Sequence, residues 1–139
     1  MAEEKLGLMV WSPLAGGLLS GKFRRDTAGS NDARRVKFDF PPVDREHAYN
    51  IVDALLPVAA RHRVSAARVA LAWLLHQNSV MSVIIGVKTP EQLAHNIAAA
   101  ELALSAEDLA ALEAASKLSP EYPRWMLERL GAGRVPAAR

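Results

Sequence analysis

Ser12-Pro13-Leu14-Ala15-Gly16-Gly17-Leu18-Leu19-Ser20-Gly21-Lys22 is the stretch whose reading decides the fold. It follows a short apolar run, Gly7 to Trp11, that reads as a buried strand. A strand that delivers the chain into a glycine-rich loop ending in a cation is a common way to build a phosphate site. Gly16 to Lys22 formally matches G-x-x-x-x-G-K, the opening of a P-loop. In that motif a hydroxyl residue follows the lysine and a helix begins at once. Here Phe23 follows, then Arg24-Arg25-Asp26 and a polar stretch to Pro42. No apolar strand ending in Asp follows to supply a second metal ligand. A P-loop-like nucleotide binder and a tight turn that merely needs glycine both stay open at this point.

A second constellation lies near the middle of the chain. Val80 to Gly86 reads as a strand, with β-branched Val83, Ile84 and Ile85 at its centre. Lys88 follows it, and Thr89-Pro90-Glu91-Gln92 opens a helix. Thr89 is the N-cap, Pro90 takes the first helical position, and Gln92 completes a capping box. Backbone amides, the positive end of the helix dipole and an ammonium group converge there, which suits a phosphate monoester. The competing reading is an ordinary cap beside a solvated lysine.

The rest of the chain is helical by pattern. Asp44 caps a helix to about Arg63, with a stripe of Ile51, Leu55, Val58 and Ala59 and an expected kink at Pro57. Ser65 caps a second helix, Ala66 to Gln77, apolar nearly all round and therefore buried. Ser105-Ala106-Glu107-Asp108 opens a further helix. The segment from Leu118 to Arg139 reads as a tail with one helical turn around Trp125. The polar stretch from Arg24 to Pro42 is a long loop, and loops of this length are functional or mobile. Two strands separated by helices point to a parallel βαβ crossover.

Taken together, the two constellations are much more specific than either alone. GLMVW, SPLAGGLLSGK, LAWLLHQ and VIIGVKTPEQLAHN, followed by Tyr122-Pro123-Arg124-Trp125-Met126, resemble the C-terminal part of the aldo-keto reductase superfamily, in its bacterial and plant-type branch. The resemblance runs from about Leu6 to Leu127. It implies an α/β fold, the end of a (β/α)8 TIM barrel from about its seventh strand to its eighth helix plus a tail, helix-rich with two barrel strands. Residues 1–127 would form this partial domain and 128–139 a flexible tail. Loops after the last two strands of such barrels commonly bind phosphate.

The resemblance also implies site residues. Ser12, Leu14, Gly16, Gly17, Ser20 and Lys22 match the loop along the pyrophosphate of NADP. Gly86, Val87 and Lys88 match the segment around the 2′-phosphate, with Lys88 as charge partner. Gln92 and Asn96, one helical turn apart, match residues near the 2′-phosphate and adenine. His95 departs from the pattern, standing where the family usually has an acidic residue. The family's catalytic Asp, Tyr, Lys and His belong to the first half of the barrel, and nothing here matches them. Tyr49 and Tyr122 fall in helix surface or tail, and His47, His62, His76 and His95 in helices or at their ends, as structural groups. No catalytic or metal-ligating residue is assigned.

A barrel of this type needs roughly 250 residues, against 139 here. The expectation is thus a piece of an NADP(H)-dependent carbonyl reductase, inactive alone. A small-molecule carbonyl substrate would come only with the other half. The alternative is a non-catalytic domain that oligomerises through its helices. Open strand edges predict self-association or rearrangement of the isolated chain. Composition agrees with a globular protein, 50% hydrophobic and 23% charged. A net charge of +2 with interspersed signs argues against a nucleic-acid partner. The absence of cysteine excludes disulfides and thiol chemistry and fits the cytoplasm. No run is apolar enough for a membrane span and no signal peptide is visible at Met1 to Lys5.

Overall fold

A computed structural model describes residues 6–27, 40, 42–118 and 122–131. Most of the expected loop from Arg24 to Pro42, and the tail beyond Gly131, lie outside the described residues. Strand β1 (Leu8–Val10) leads into a short 3-10 turn at Ala15–Ser20. Helices α1 (Arg45–His62) and α2 (Ala66–Leu75) follow, then β2 (Val80–Val83) and α3 (Pro90–Ile97). A 3-10 turn at Ala98–Glu101 precedes α4 (Ala106–Ser116) and α5 (Arg124–Gly131). The result is helix-rich with two parallel strands, as expected of part of a (β/α)8 barrel. α5 extends the single turn expected around Trp125.

The helix boundaries follow from local chemistry. The Asp44 carboxylate accepts the His47 amide at 3.1 Å, and Ser65 Oγ accepts the Arg68 amide at 3.2 Å. Each relieves one of the unsatisfied donors of a helix start. Arg63 closes α1 in the left-handed region at φ 54°, returning its amide to the Ala59 and Ala60 carbonyls. α1 runs unbroken through Pro57. The proline removes one backbone donor, and the helix is carried across it by the buried stripe Val52, Leu55, Val58 and Ala59.

Leu55, Val58 and Ala59 of that stripe pack on Val69, Ala70, Leu71 and Ala72 of α2, and Leu112 of α4 closes the core with Leu104, which lies just before that helix. Asp108 and Leu112, four residues apart, share the inward face of α4, so a carboxylate is buried beside a leucine there. α2 is buried along part of its surface only; Leu75 is 37% exposed.

The strands pair in parallel as Leu8↔Val80, Met9↔Ser82 and Val10↔Val83. The register slips by one residue between Leu8 and Met9, which leaves Met81 as the extra residue of a bulge. Its thioether lies where a Cβ at position 7 would sit, so any larger residue there would have to push the exposed Met81 side chain aside. Val83 and Ile85 fasten the sheet to the helical core, while Met9 and Met81 face away. Both outer sheet edges are unpaired among the described residues.

Candidate functional site

Parallel pairing sends the chain out of both strands at the same edge. The Ile84 amide reaches the Val10 carbonyl at 2.8 Å, and the two segments then leave as separate loops, one from Trp11 and one from Gly86. The two candidate phosphate segments are therefore neighbours at their roots. In α/β folds the carboxyl ends of parallel strands are where ligands bind.

The first loop holds an unusual backbone. Ser12 and Ala15 sit at φ 53° and 48°, and Gly16 and Gly17 at 68° and 96°. A non-glycine residue pays about 1–2 kcal/mol for that region, so two of them in one loop must be held by their surroundings. The Ala15 amide donates to the Ser12 carbonyl at 2.9 Å. The Leu14 carbonyl accepts from Gly17 and Leu19, and the Ser20 hydroxyl donates to the Gly17 carbonyl at 2.6 Å. Leu14 and Leu19 pack on the main core, and Leu18 and Phe23 are buried against Ala48 of α1. Leu14 and Ser20 thus serve the shape of the loop, and a ligand would meet their backbone before their side chains. No helix begins directly after Lys22: Phe23 lies outside any helix, and Arg24 and Thr27 close a tight turn. That geometry is unlike a P-loop.

The second loop is pinned from α3. Thr89 Oγ1 accepts the Gln92 amide at 3.3 Å, as expected, but Gln92 does not complete the capping box. Its Oε1 accepts the Lys88 amide, one residue earlier, at 2.9 Å. The side chain is long enough to pass the cap, and it fixes the Val87-Lys88 backbone instead. The Glu91 carboxyl is held below the usual carboxylate range by its own backbone amide and by the Thr89 hydroxyl. A carboxylate therefore already occupies the amide-rich start of α3.

What remains open at this edge is backbone and cationic side chains. A Cβ added at Gly17 or Gly86 would meet nothing within 4 Å. Gly17 is demanded by its φ, whereas neither conformation nor packing demands glycine at 86; close approach of another molecule would. Lys22 and Lys88 are exposed, and neither enters an ion pair among the described residues. Asn96 is half-buried on α3, and His95 is exposed with its carbonyl accepting from Arg68 Nε at 3.2 Å. Tyr49 lies half-buried on α1 and Tyr122 is exposed. A cleft of about 320 Å³ between α2 and α4, lined by Trp73, His76, Gln77, Leu109, Ala110 and Glu113, contains none of these residues.

Two clusters were invisible to sequence reading. Asp108, 2% exposed, accepts from Arg61, from Ser105 Oγ at 2.8 Å and from the Ser105 amide at 3.1 Å, and pairs with His62 Nε2 at 2.8 Å. Its capping-box role is legible in Ser105-x-x-Asp108; its partners on α1 are not, being 46 and 47 residues away. The second is Arg25, held by side chains of α1. No group of three potential metal ligands is found among the described residues. None of the described helices is long and apolar enough to cross a membrane.

The profile of the Aldo/keto reductase family matches residues 1–117, ending before the Tyr122–Met126 motif. The chain is 36% identical over 110 residues to the NADH-specific methylglyoxal reductase of Escherichia coli (strain K12), covering 76% of this chain and 32% of that protein. It is 32% identical over 131 residues to aldo-keto reductase str7 of Strobilurus tenacellus, covering 94% of this chain and 39% of that one. With the L-glyceraldehyde 3-phosphate reductase of Escherichia coli O157:H7 it shares 33% identity over 118 residues, 81% of this chain and 34% of that protein. The chain spans about a third of the length of these curated relatives.

Proposed function

This chain belongs to the aldo/keto reductase family, and from that premise we propose that it is the cofactor-phosphate-binding part of an NADP(H)-dependent carbonyl reductase. The observation that carries this reading is the pair of loops leaving one strand edge, each with open glycine backbone and one exposed lysine that enters no ion pair among the described residues. Ser12, Leu14, Gly16, Gly17, Ser20 and Lys22 would follow the pyrophosphate, mainly through backbone. Gly86, Val87 and Lys88 would receive the 2′-phosphate, with Gln92 holding that loop and Asn96 near the adenine. The nicotinamide, when bound, supplies hydride to a carbonyl carbon. This chain's own residues bind and orient the phosphate end, and the proton donor belongs to a part not matched here.

One relative is NADH-specific by name, so the 2′-phosphate assignment rests on Lys88. Titration of the full chain with NADPH and with NADH, followed by nucleotide fluorescence, tests it. Lys88→Ala should weaken NADPH about tenfold, equivalent to losing one charge-assisted contact, and leave NADH unchanged. Equal losses for both nucleotides, or none, would remove the assignment. Turnover of a reactive aldehyde by this chain alone would show that its catalytic residues are present after all.

A second reading, a non-catalytic domain that self-associates, is favoured by one observation. Met9, Trp11 and Met81 are 61–78% exposed, beside strand edges that pair with nothing among the described residues. The contact would then lie on the sheet rather than on the helices.

A further inference from the structure

The strained glycine-rich loop is anchored at two levels, and the outer one is electrostatic. After Phe23 enters the small core with Leu18 and Ala48, the chain turns back on itself. The Arg24 amide donates to the Thr27 carbonyl at 3.1 Å and the Thr27 amide to the Arg24 carbonyl at 3.2 Å. This turn presents Arg25 to α1. Its guanidinium donates to Glu46 and, through Nη2, to Asn50 Oδ1 at 2.7 Å; Nε lies 3.6 Å from Asp53 Oδ2. Its carbon sits 5.8 Å from the centre of the Tyr49 ring. Glu46, Asn50 and Asp53 follow the i, i+4, i+7 spacing of one helix stripe. The planar fork of arginine fits three acceptors there as a lysine could not.

We propose that Arg25 is a positioning residue that clasps the end of the glycine-rich loop to α1 and so keeps its backbone in the shape that receives the cofactor pyrophosphate. The proposal rests on the reading of this loop as a cofactor site. Arg25 and its two carboxylate partners are about half to three-quarters exposed, so each contact is screened and contributes little to global folding. Their joint effect is local. With the clasp released, the end of the loop is left to the packing of Phe23 and Leu18, and this segment opens more often without unfolding the helices.

The test uses the full 139-residue chain and chymotrypsin, which cuts after Phe23 only when that ring leaves its core. Arg25→Met keeps the aliphatic stem and removes the fork. Cleavage after Phe23 should quicken about three- to tenfold and the NADPH dissociation constant rise by a similar factor. The thermal midpoint should stay within about 2 °C. Arg25→Lys should recover part of both losses. The double change Glu46→Gln with Asp53→Asn should reproduce them with Arg25 in place. Unchanged cleavage in Arg25→Met overturns the clasp. Faster cleavage with unchanged NADPH affinity overturns the positioning role. If the unaltered chain binds no dinucleotide, the cofactor reading fails by itself, and cleavage still decides whether Arg25 holds the loop.

Discussion

Val69 and Ala72 of α2 lie at 0% exposure in the core that α2 shares with α1, whereas Met9 and Met81 of the sheet stand 66% and 78% exposed. The helices α1, α2 and α4 bury their largest apolar stripes against one another and even bury a carboxylate among them. The sheet buries only the face that Val83 and Ile85 turn toward the core. The same chain therefore contains a region with a closely packed interior and a region whose outer face meets nothing among the described residues. The candidate phosphate edge belongs to the second. Its loops are held from behind, by Leu18, Phe23, Arg25 and Gln92, and left bare in front.

The difference is most easily broken at Leu71, which is 2% exposed at the centre of the helical core. Leu71→Ala should destabilise the chain by about 3 kcal/mol, read from urea unfolding followed by circular dichroism. Met81→Ala should change stability by less than about 0.5 kcal/mol. Similar effects at the two sites would show that the helices do not dominate the stability.

Asp108 gives the next largest effect and sharpens the comparison, because it ties α4 to α1 without touching the sheet. Its carboxyl is held well below the usual carboxylate range by the hydrogen bond from His62, then by Arg61 and by Ser105. Asp108→Asn should cost about 2 kcal/mol at neutral pH, the loss of charge-assisted bonds to a buried group. The folded chain binds this proton more weakly than the unfolded chain does. The contribution is therefore complete above the unfolded carboxylate value of about pH 4 and is lost as the pH falls below it. Stability curves of the two proteins should converge on the acid side. A gap that stayed constant down to pH 2 would place the stabilisation elsewhere.

Much of this was legible in the sequence for identifiable reasons. Asp44, Ser65, Thr89 and Ser105 each cap the helix they announce, since the side-chain oxygen acts within three residues of itself. The parallel strands and the common edge of the two loops followed from strand–helix–strand order. What escaped depends on distance along the chain. Arg25 meets Glu46, Asn50 and Asp53 across more than twenty residues, and Asp108 meets Arg61 and His62 across more than forty-five. Pattern reading has no term for such pairs. Gln92 illustrates the opposite limit: its local partner was anticipated as Thr89, and one further bond rotation along the side chain delivered it to Lys88.

The smallest effect on folding concerns the exposed side of the sheet, and there the comparison predicts a change of association instead. Met9 and Met81 sit on the face turned away from the core, and the bulge that lifts Met81 out of register adds to their exposure. Replacing both, Met9→Ser with Met81→Ser, removes apolar surface that water already touches. Stability should move by less than about 0.5 kcal/mol. Sedimentation velocity of the unaltered chain at rising concentration should show self-association, and the double variant should remain lighter over the same range. A control at Ile97→Ser, somewhat less exposed at 59% and on α3, should leave association as it was. If Ile97→Ser disperses the chain and the methionine pair does not, the sticky surface is helical, and the contrast between a finished helical layer and an unfinished sheet would have to be redrawn around α3.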